Sequence, residues 1–161
     1  MGLEKWGSGT WTFAGSGHTY TGATTINAGR LILASNLNSS INVSNCTLAP
    51  QGSPQTSGGL TIAAGGRYEI RINGTQAGAQ YDQLTTSGNV SLGGTLDISA
   101  AARLSPGSSF TIINKTSSGA ISGSFDGLPN GSSFTQDGYL WVISYAAVSY
   151  THLRAHETEA D

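Results

Sequence analysis

Apolar and polar residues alternate in short bursts along this chain. Leu60 and Ile62 flank Thr61; Tyr68, Ile70 and Ile72 flank Glu69 and Arg71; Val90 and Leu92 flank Ser91; Leu96 and Ile98 flank Asp97. A period of two sends alternate side chains to opposite faces, so each burst predicts a half-buried strand. The predicted strands run over Thr10 to Phe13, Ala23 to Ile26, Arg30 to Leu33, Ser40 to Val43, Thr47 to Ala49, Gly59 to Ile62 and Arg67 to Ile72. They continue over Asp82 to Thr86, Asn89 to Leu92, Thr95 to Ser99, Ser109 to Ile113, Ala120 to Phe125, Ser132 to Thr135 and Tyr139 to Tyr145. Turn signals stand between them, among them Asn27-Ala28-Gly29, Gly65-Gly66, Asn73-Gly74, Gly93-Gly94 and Pro129-Asn130-Gly131. Gly and Asn tolerate the positive φ that tight turns require. Recurrent Gly and β-branched residues disfavour helix throughout.

Strands this short and this regularly spaced fit a sandwich, a barrel or a solenoid, and the pattern alone does not separate them. Composition shifts the balance toward the solenoid. Charged residues make up only 10% of the 161 positions, 23 are Gly, and Ser and Thr supply 40. Hydroxyls and turns without dense charge suit a chain that coils, each coil adding a few apolar residues to a shared inner column. The expected class is therefore all-β. The run Tyr139 to Tyr145 carries no charge, Pro or Gly. Left uncovered it would be prone to pair with another copy, so self-association of the isolated chain is expected.

Little in the sequence suggests chemistry. Lys5, Arg30, Arg67, Arg71, Arg103 and Lys115 are scattered, and the net charge is −2. Nucleic-acid binding needs clustered cations to neutralise phosphates, so no nucleic-acid partner is expected. No run of 18 apolar residues occurs, so no membrane insertion by a helix is expected. Glu4, Glu69, Asp82, Asp97, Asp126 and Asp137 are spread widely, although stacking of coils can bring distant carboxylates together. No Asp-rich Gly repeat of the calcium-binding kind appears. Asp82, at the start of a strand, is expected to accept backbone N–H bonds and to play a structural part. Glu69 and Arg71 are expected on the outer face. Cys46 has no intrachain partner and reads as a buried strand residue. Trp11, Tyr81 and Trp141 read as core or end-capping aromatics, with exposed stacking platforms as the alternative, and His18 alone is not a metal site. Seven Asn-x-Ser/Thr triplets begin at Asn38, Asn42, Asn45, Asn73, Asn89, Asn114 and Asn130, a number that chance supplies readily in so Asn- and Ser-rich a chain. The expectation is no enzyme, no catalytic, cofactor-binding or metal-binding residue, and no cofactor.

The chain changes character near its end. His152, Arg154, His156, Glu157, Glu159 and Asp161 crowd into ten positions. His152 and His156 have helical spacing, but Leu153 and Arg154 follow where a zinc-protease motif needs Glu after the first His. The stretch Val148 to Thr158 resembles a translated sequencing-adaptor read-through. Residues 1–148 are accordingly taken as the β-solenoid, and residues 149–161 as a foreign tail that adds nothing to folding.

Leu3-Glu4-Lys5-Trp6-Gly7-Ser8-Gly9-Thr10-Trp11-Thr12-Phe13, then His18-Thr19-Tyr20-Thr21-Gly22-Ala23-Thr24-Thr25-Ile26-Asn27-Ala28-Gly29-Arg30-Leu31, resembles the autotransporter-associated β-strand repeat. That repeat has a capping strand, a TYTG turn, a TTI strand and an AG-x-L lead-in. Thr47-Leu48-Ala49-Pro50 through Gly52-Ser53-Pro54 resembles its linker, with Gln51 in place of Gly. Tyr81-Asp82-Gln83-Leu84, Gly93-Gly94-Thr95-Leu96 and Phe125 to Phe134 resemble the region near the C-terminal end of such passengers. The resemblance implies a right-handed parallel β-helix, with antiparallel strands toward the C-terminal end. It implies a structural or adhesive segment of an exported protein, extracellular or at the cell surface of a Gram-negative bacterium, without catalysis. Its implied partners are neighbouring β-coils of the same longer chain and host or matrix glycans or proteins. A carbohydrate-binding or carbohydrate-cleaving β-helix is the alternative, and a segment that nucleates passenger folding a third reading. A groove of clustered aromatics and acids would mark the alternative.

Overall fold

A computed structural model describes the backbone of residues 1–101, 103–147 and 150–157, and side chains up to residue 145. The first layer of the chain holds β1 (Leu3–Lys5) and β2 (Thr10–Phe13), and the second β3 (Thr24–Ile26) and β4 (Arg30–Leu33). The third holds β5 (Ile41–Val43), β6 (Thr47–Pro50) and β7 (Gln55–Thr56); the fourth β8 (Leu60–Ile62), β9 (Arg67–Ile72) and β10 (Leu84–Thr86). The fifth holds β11 (Val90–Leu92), β12 (Thr95–Ala100) and β13 (Ser109–Lys115), and β14 (Ser122–Gly123) begins a sixth. β15 (Ser133–Gln136), β16 (Tyr139–Ala147) and β17 (Tyr150–Glu157) follow.

Like strands of successive layers pair in parallel, so the chain visits three sheets in turn. One sheet runs β1-β3-β5-β8-β11-β14, the second β2-β4-β6-β9-β12, and the third contains β7-β10-β13. The arrangement is all-β and solenoid-like. Its layers are unequal: Thr24 lies opposite Ile41, about 17 residues on, whereas Leu60 lies opposite Val90, about 30 residues on. The third side of the second layer is reduced to one bridge from Leu37 to Thr56. Beyond β13 the third sheet turns antiparallel, in the order β13-β17-β16-β15.

Inward positions form columns. Leu31, Leu48, Tyr68 and Leu96 stack across the second sheet, and Ile41, Leu60 and Val90 across the first, all buried. One core runs from Phe13 to Ile143. At the far end Tyr68 stacks on Phe125 at 6.0 Å and donates its hydroxyl to Ile112 O at 2.8 Å.

Thr10–Phe13, Arg30–Leu33 and Arg67–Ile72 have the bounds expected of them. One expectation is corrected. Ala120 to Phe125 shrinks to Ser122–Gly123, because Gly123 takes a φ of +74° and ends the strand. Trp11 continues the inward column at Leu31, and because among the described residues no strand pairs with the other edge of β2 it stays 41% exposed at the end of the stack, the end-capping position rather than the core. Within the segment read as a foreign tail, the backbone of Tyr150–Glu157 lies between β13 and β16 as β17, an extended strand in which the spacing of His152 and His156 is not helical. The side chains of that strand and residues 158–161, including Glu159 and Asp161, lie outside the described residues.

Candidate functional site

The outer face of the second sheet gathers Arg30, Arg67, Glu69, Arg71 and Asp97. Arg30 on β4 reaches diagonally past Ala49 of β6 to Glu69 on β9, donating Nε to Oε2 at 3.3 Å and Nη2 to Oε1. Arg67 pairs with Asp97 at 3.6 Å, and Asp97 also accepts from Gln136 Nε2 at 2.8 Å. These partly exposed pairs each contribute about 0 to 1 kcal/mol.

Asp82 differs in being only 3% exposed. Its Oδ1 accepts from Gly52 N at 3.0 Å and Arg71 Nη2 at 3.1 Å; its Oδ2 accepts from Arg71 N at 2.9 Å and Arg71 Nε at 3.1 Å. Asp82 N donates in return to Arg71 O at 3.0 Å. The carboxylate therefore ties the third layer to the fourth, and the structural reading of this residue accounts for its bonds. The hydrogen bonds and charge of Asp82 hold the Arg71 guanidinium even more firmly protonated. Between these pairs lies a cavity of about 130 Å³, lined by Arg30, Glu69, Arg71, Asp82 and the edge of Pro50. Stacking does bring Glu69 and Asp82 onto one cavity, but each is engaged by an arginine, which leaves neither placed as a free acid or base.

The third side carries a neutral groove. Where narrow layers meet wide ones, Asn36, Asn38, Gln55, Ser57, Thr85 and Thr116 line about 390 Å³. Asn36 and Asn38 also border a second hollow with His18, whose ring lies 4.1 Å from Phe13 and whose Nε2 is buried without a hydrogen-bond partner. The lining is amide and hydroxyl, without the clustered aromatics and acids expected of a sugar-cleaving groove.

Sequence reasoning missed the corner beside this groove. Thr56-Ser57-Gly58 and Thr86-Ser87-Gly88 are the same tripeptide in successive layers. Thr56 Oγ1 donates to Ser39 O and Thr86 Oγ1 to Gly58 O, while Ser87 Oγ donates to Ser57 O at 2.9 Å. Glycine is required because a Cβ on Gly88 would lie 2.3 Å from Gly59 N. In the next layer Lys115, 1% exposed, takes the Thr position and donates Nζ to Ser117 O, Ser117 Oγ, Ser118 O and Gly119 O at 2.8 to 3.2 Å. Lys5 plays a similar part at the other end, donating to Gly7 O and Ala28 O. The repeated tripeptide was the available signal.

Cys46 is buried as expected, and burial pushes its thiol pKa up. Tyr81 and Trp141 are buried. Among the described residues no group of three or more His, Cys, Asp or Glu is placed to hold a metal ion, and no helix is long and apolar enough to cross a membrane. No curated protein matches the chain. Residues 3–33, which span β1 to β4, match the model of the passenger-associated-transport-repeat family, and over that stretch the chain is similar to it.

Proposed function

We propose that residues 1–148 form a right-handed parallel β-helix within an exported bacterial surface protein, extracellular or attached to a Gram-negative cell, and serve as a structural or adhesive shaft without catalysis. The carrying observation is that the stretch similar to a passenger-associated transport repeat coincides with the first two layers of a parallel stack. A chain rich in Ser, Thr, Asn and Gly, with Glu69, Asp82 and Asp97 engaged by arginines, suits a water-facing shaft. Its partners are further coils of a longer chain at either end, and residues 149–161 are foreign sequence. The test places residues 1–148 between a secretion signal and an outer-membrane barrel in a Gram-negative host. A trypsin-resistant core recovered from the cell exterior is expected; a protease-sensitive chain held in the periplasm would refute the reading.

Glycan binding is the second reading: amides and hydroxyls at Asn36, Gln55 and Thr85 suit sugar hydroxyls, although the groove lacks the clustered aromatics and acids that would mark it. Retention on a glycan array, lost on Asn36→Ala with Thr85→Ala, would support it.

A further inference from the structure

Two of the three tryptophans lie at the surface, Trp6 68% and Trp11 41% exposed, whereas Trp141 is fully buried. Among the described residues the one other large hydrophobic side chain left exposed is Met1. Trp6 opens the corner between β1 and β2. Register along the first sheet sets Lys5 opposite Ile26, then Val43, then Ile62. The corners of the next three layers therefore carry Asn27, Ser44 and Ala63 where the first carries Trp6. The fold asks only for a small residue at that place, and the inward apolar columns do not need the indole.

Both tryptophans line one hollow of about 320 Å³, together with Glu4, Lys5, Gly9 and Thr10. The Trp6 ring is held in place by its Nε1, which donates to Glu4 Oε2 at 3.0 Å. Trp11 makes a T-shaped contact with Phe13, ring centroids 6.4 Å apart. Glu4 Oε1 and the Thr10 hydroxyl have no protein partner among the described residues. Lys5 Nζ, engaged by Gly7 O and Ala28 O, brings a positive charge to the same hollow. Nothing lies within 4 Å of a Cβ placed on Gly7 or Gly9, so the corner beside the rings is open.

Flat apolar faces next to polar groups of balanced charge suit a neutral ligand that is apolar on one face and hydroxylated at its rim. A pyranose ring fits that description: its C–H bonds meet the negative π-face of an indole, and its hydroxyls donate to a carboxylate oxygen. An organic cation would stack on the same rings but would also meet Lys5. The volume lies within the range of roughly 300 to 1,000 Å³ for small-ligand sites. Glu4 is the one carboxylate among the lining residues, and glycoside cleavage uses a pair, so the arrangement binds without hydrolysing.

We propose that Trp6, Trp11 and Glu4 form a binding site for a neutral pyranose unit, at the corner of the first layer and separate from the neutral groove of the third side. The two indoles supply stacking faces. Glu4 fixes the Trp6 ring with one oxygen and accepts a sugar hydroxyl with the other.

The test titrates the full chain, by isothermal calorimetry, with cellohexaose, chitohexaose and mannohexaose in turn. Saturable binding of at least one is expected, with a change in tryptophan emission that reports Trp6 and Trp11, since Trp141 is fully buried. Trp6→Ala and Trp11→Ala each weaken binding by about tenfold or more, and Trp6→Phe, which keeps a ring face, weakens it less than Trp6→Ala. Trp6 sits in water, so its replacement leaves the circular dichroism spectrum of the folded chain unchanged. No saturable binding of any of the three sugars, or affinity retained by Trp6→Ala, overturns the proposal. Tighter binding of choline chloride than of every sugar overturns it in favour of a cation site. Burial of the indoles that rises with protein concentration in the absence of sugar overturns it in favour of a contact between copies.

Discussion

Replacing Asp82 with Ala tests whether this buried carboxylate serves the fold. The substitution removes the acceptor for two backbone donors, Gly52 N and Arg71 N, and the partner of the Arg71 guanidinium. A buried N–H left without an acceptor costs about 1 to 3 kcal/mol, so these two part-buried donors together cost at most roughly 2 to 6 kcal/mol. The guanidinium adds little, since the Arg71 side chain is 52% exposed and turns to water. Arg71→Ala is therefore expected to cost less than about 1 kcal/mol, and Asp82→Asn to fall between, because one amide oxygen still accepts while the NH₂ faces donors. The assay is urea unfolding at neutral pH, followed by circular dichroism. Asp82→Ala within about 0.5 kcal/mol of the parent, as for an ordinary surface change, would refute the reasoning. So would Arg71→Ala costing as much as Asp82→Ala, since the stabilisation would then lie in the ion pair.

Lys115→Met strips the donor from three carbonyls and a hydroxyl, and is expected to cost about 2 to 4 kcal/mol in the same assay, more than Lys5→Met, which strips two carbonyls. Gly94→Ala and Gly107→Ala both strain a positive φ, but only the first brings Cβ to 2.2 Å of a backbone oxygen, that of Gly66. Gly94→Ala should lower the urea midpoint clearly further, and equal effects would argue against a rigid corner there. Burial raises the phenol pKa of Tyr68 and Tyr81, and pushes that of Tyr145 up to about 12. Unfolded tyrosines ionise near 10, so stability is intact below about pH 10 and falls as pH rises toward about 12. A urea midpoint unchanged from pH ~9 to pH ~11 would contradict this.

The strands were legible where alternation was strict and Gly or Asn bounded it, as at Arg67–Ile72. They were illegible where two or three residues pair only because a neighbouring layer presents an edge, as at Leu3–Lys5 and Gln55–Thr56. The parallel order of the sheets was beyond local pattern, because partners such as Leu60 and Val90 are separated by a long, layer-dependent interval. The same distance hid the pairing of Arg30 with Glu69. Asp82 was readable as a backbone acceptor, but its donor in the preceding layer, Gly52, was not. Charge sets the tail apart from the body in sequence, but charge does not stop a segment from pairing through its main chain, and that pairing was not legible.

The unequal layers have a mechanical meaning. In each parallel sheet the hydrogen bonds point along the stack, so tension on the two ends of the chain bears on the terminal layers first. A layer that peels away frees its whole contour at once: about 60 Å for the short layers, and about 100 Å for the layers beyond Leu60, at roughly 3.5 Å per extended residue. Stretching would thus release length in two sizes, small steps from the N-terminal side and large ones from the other.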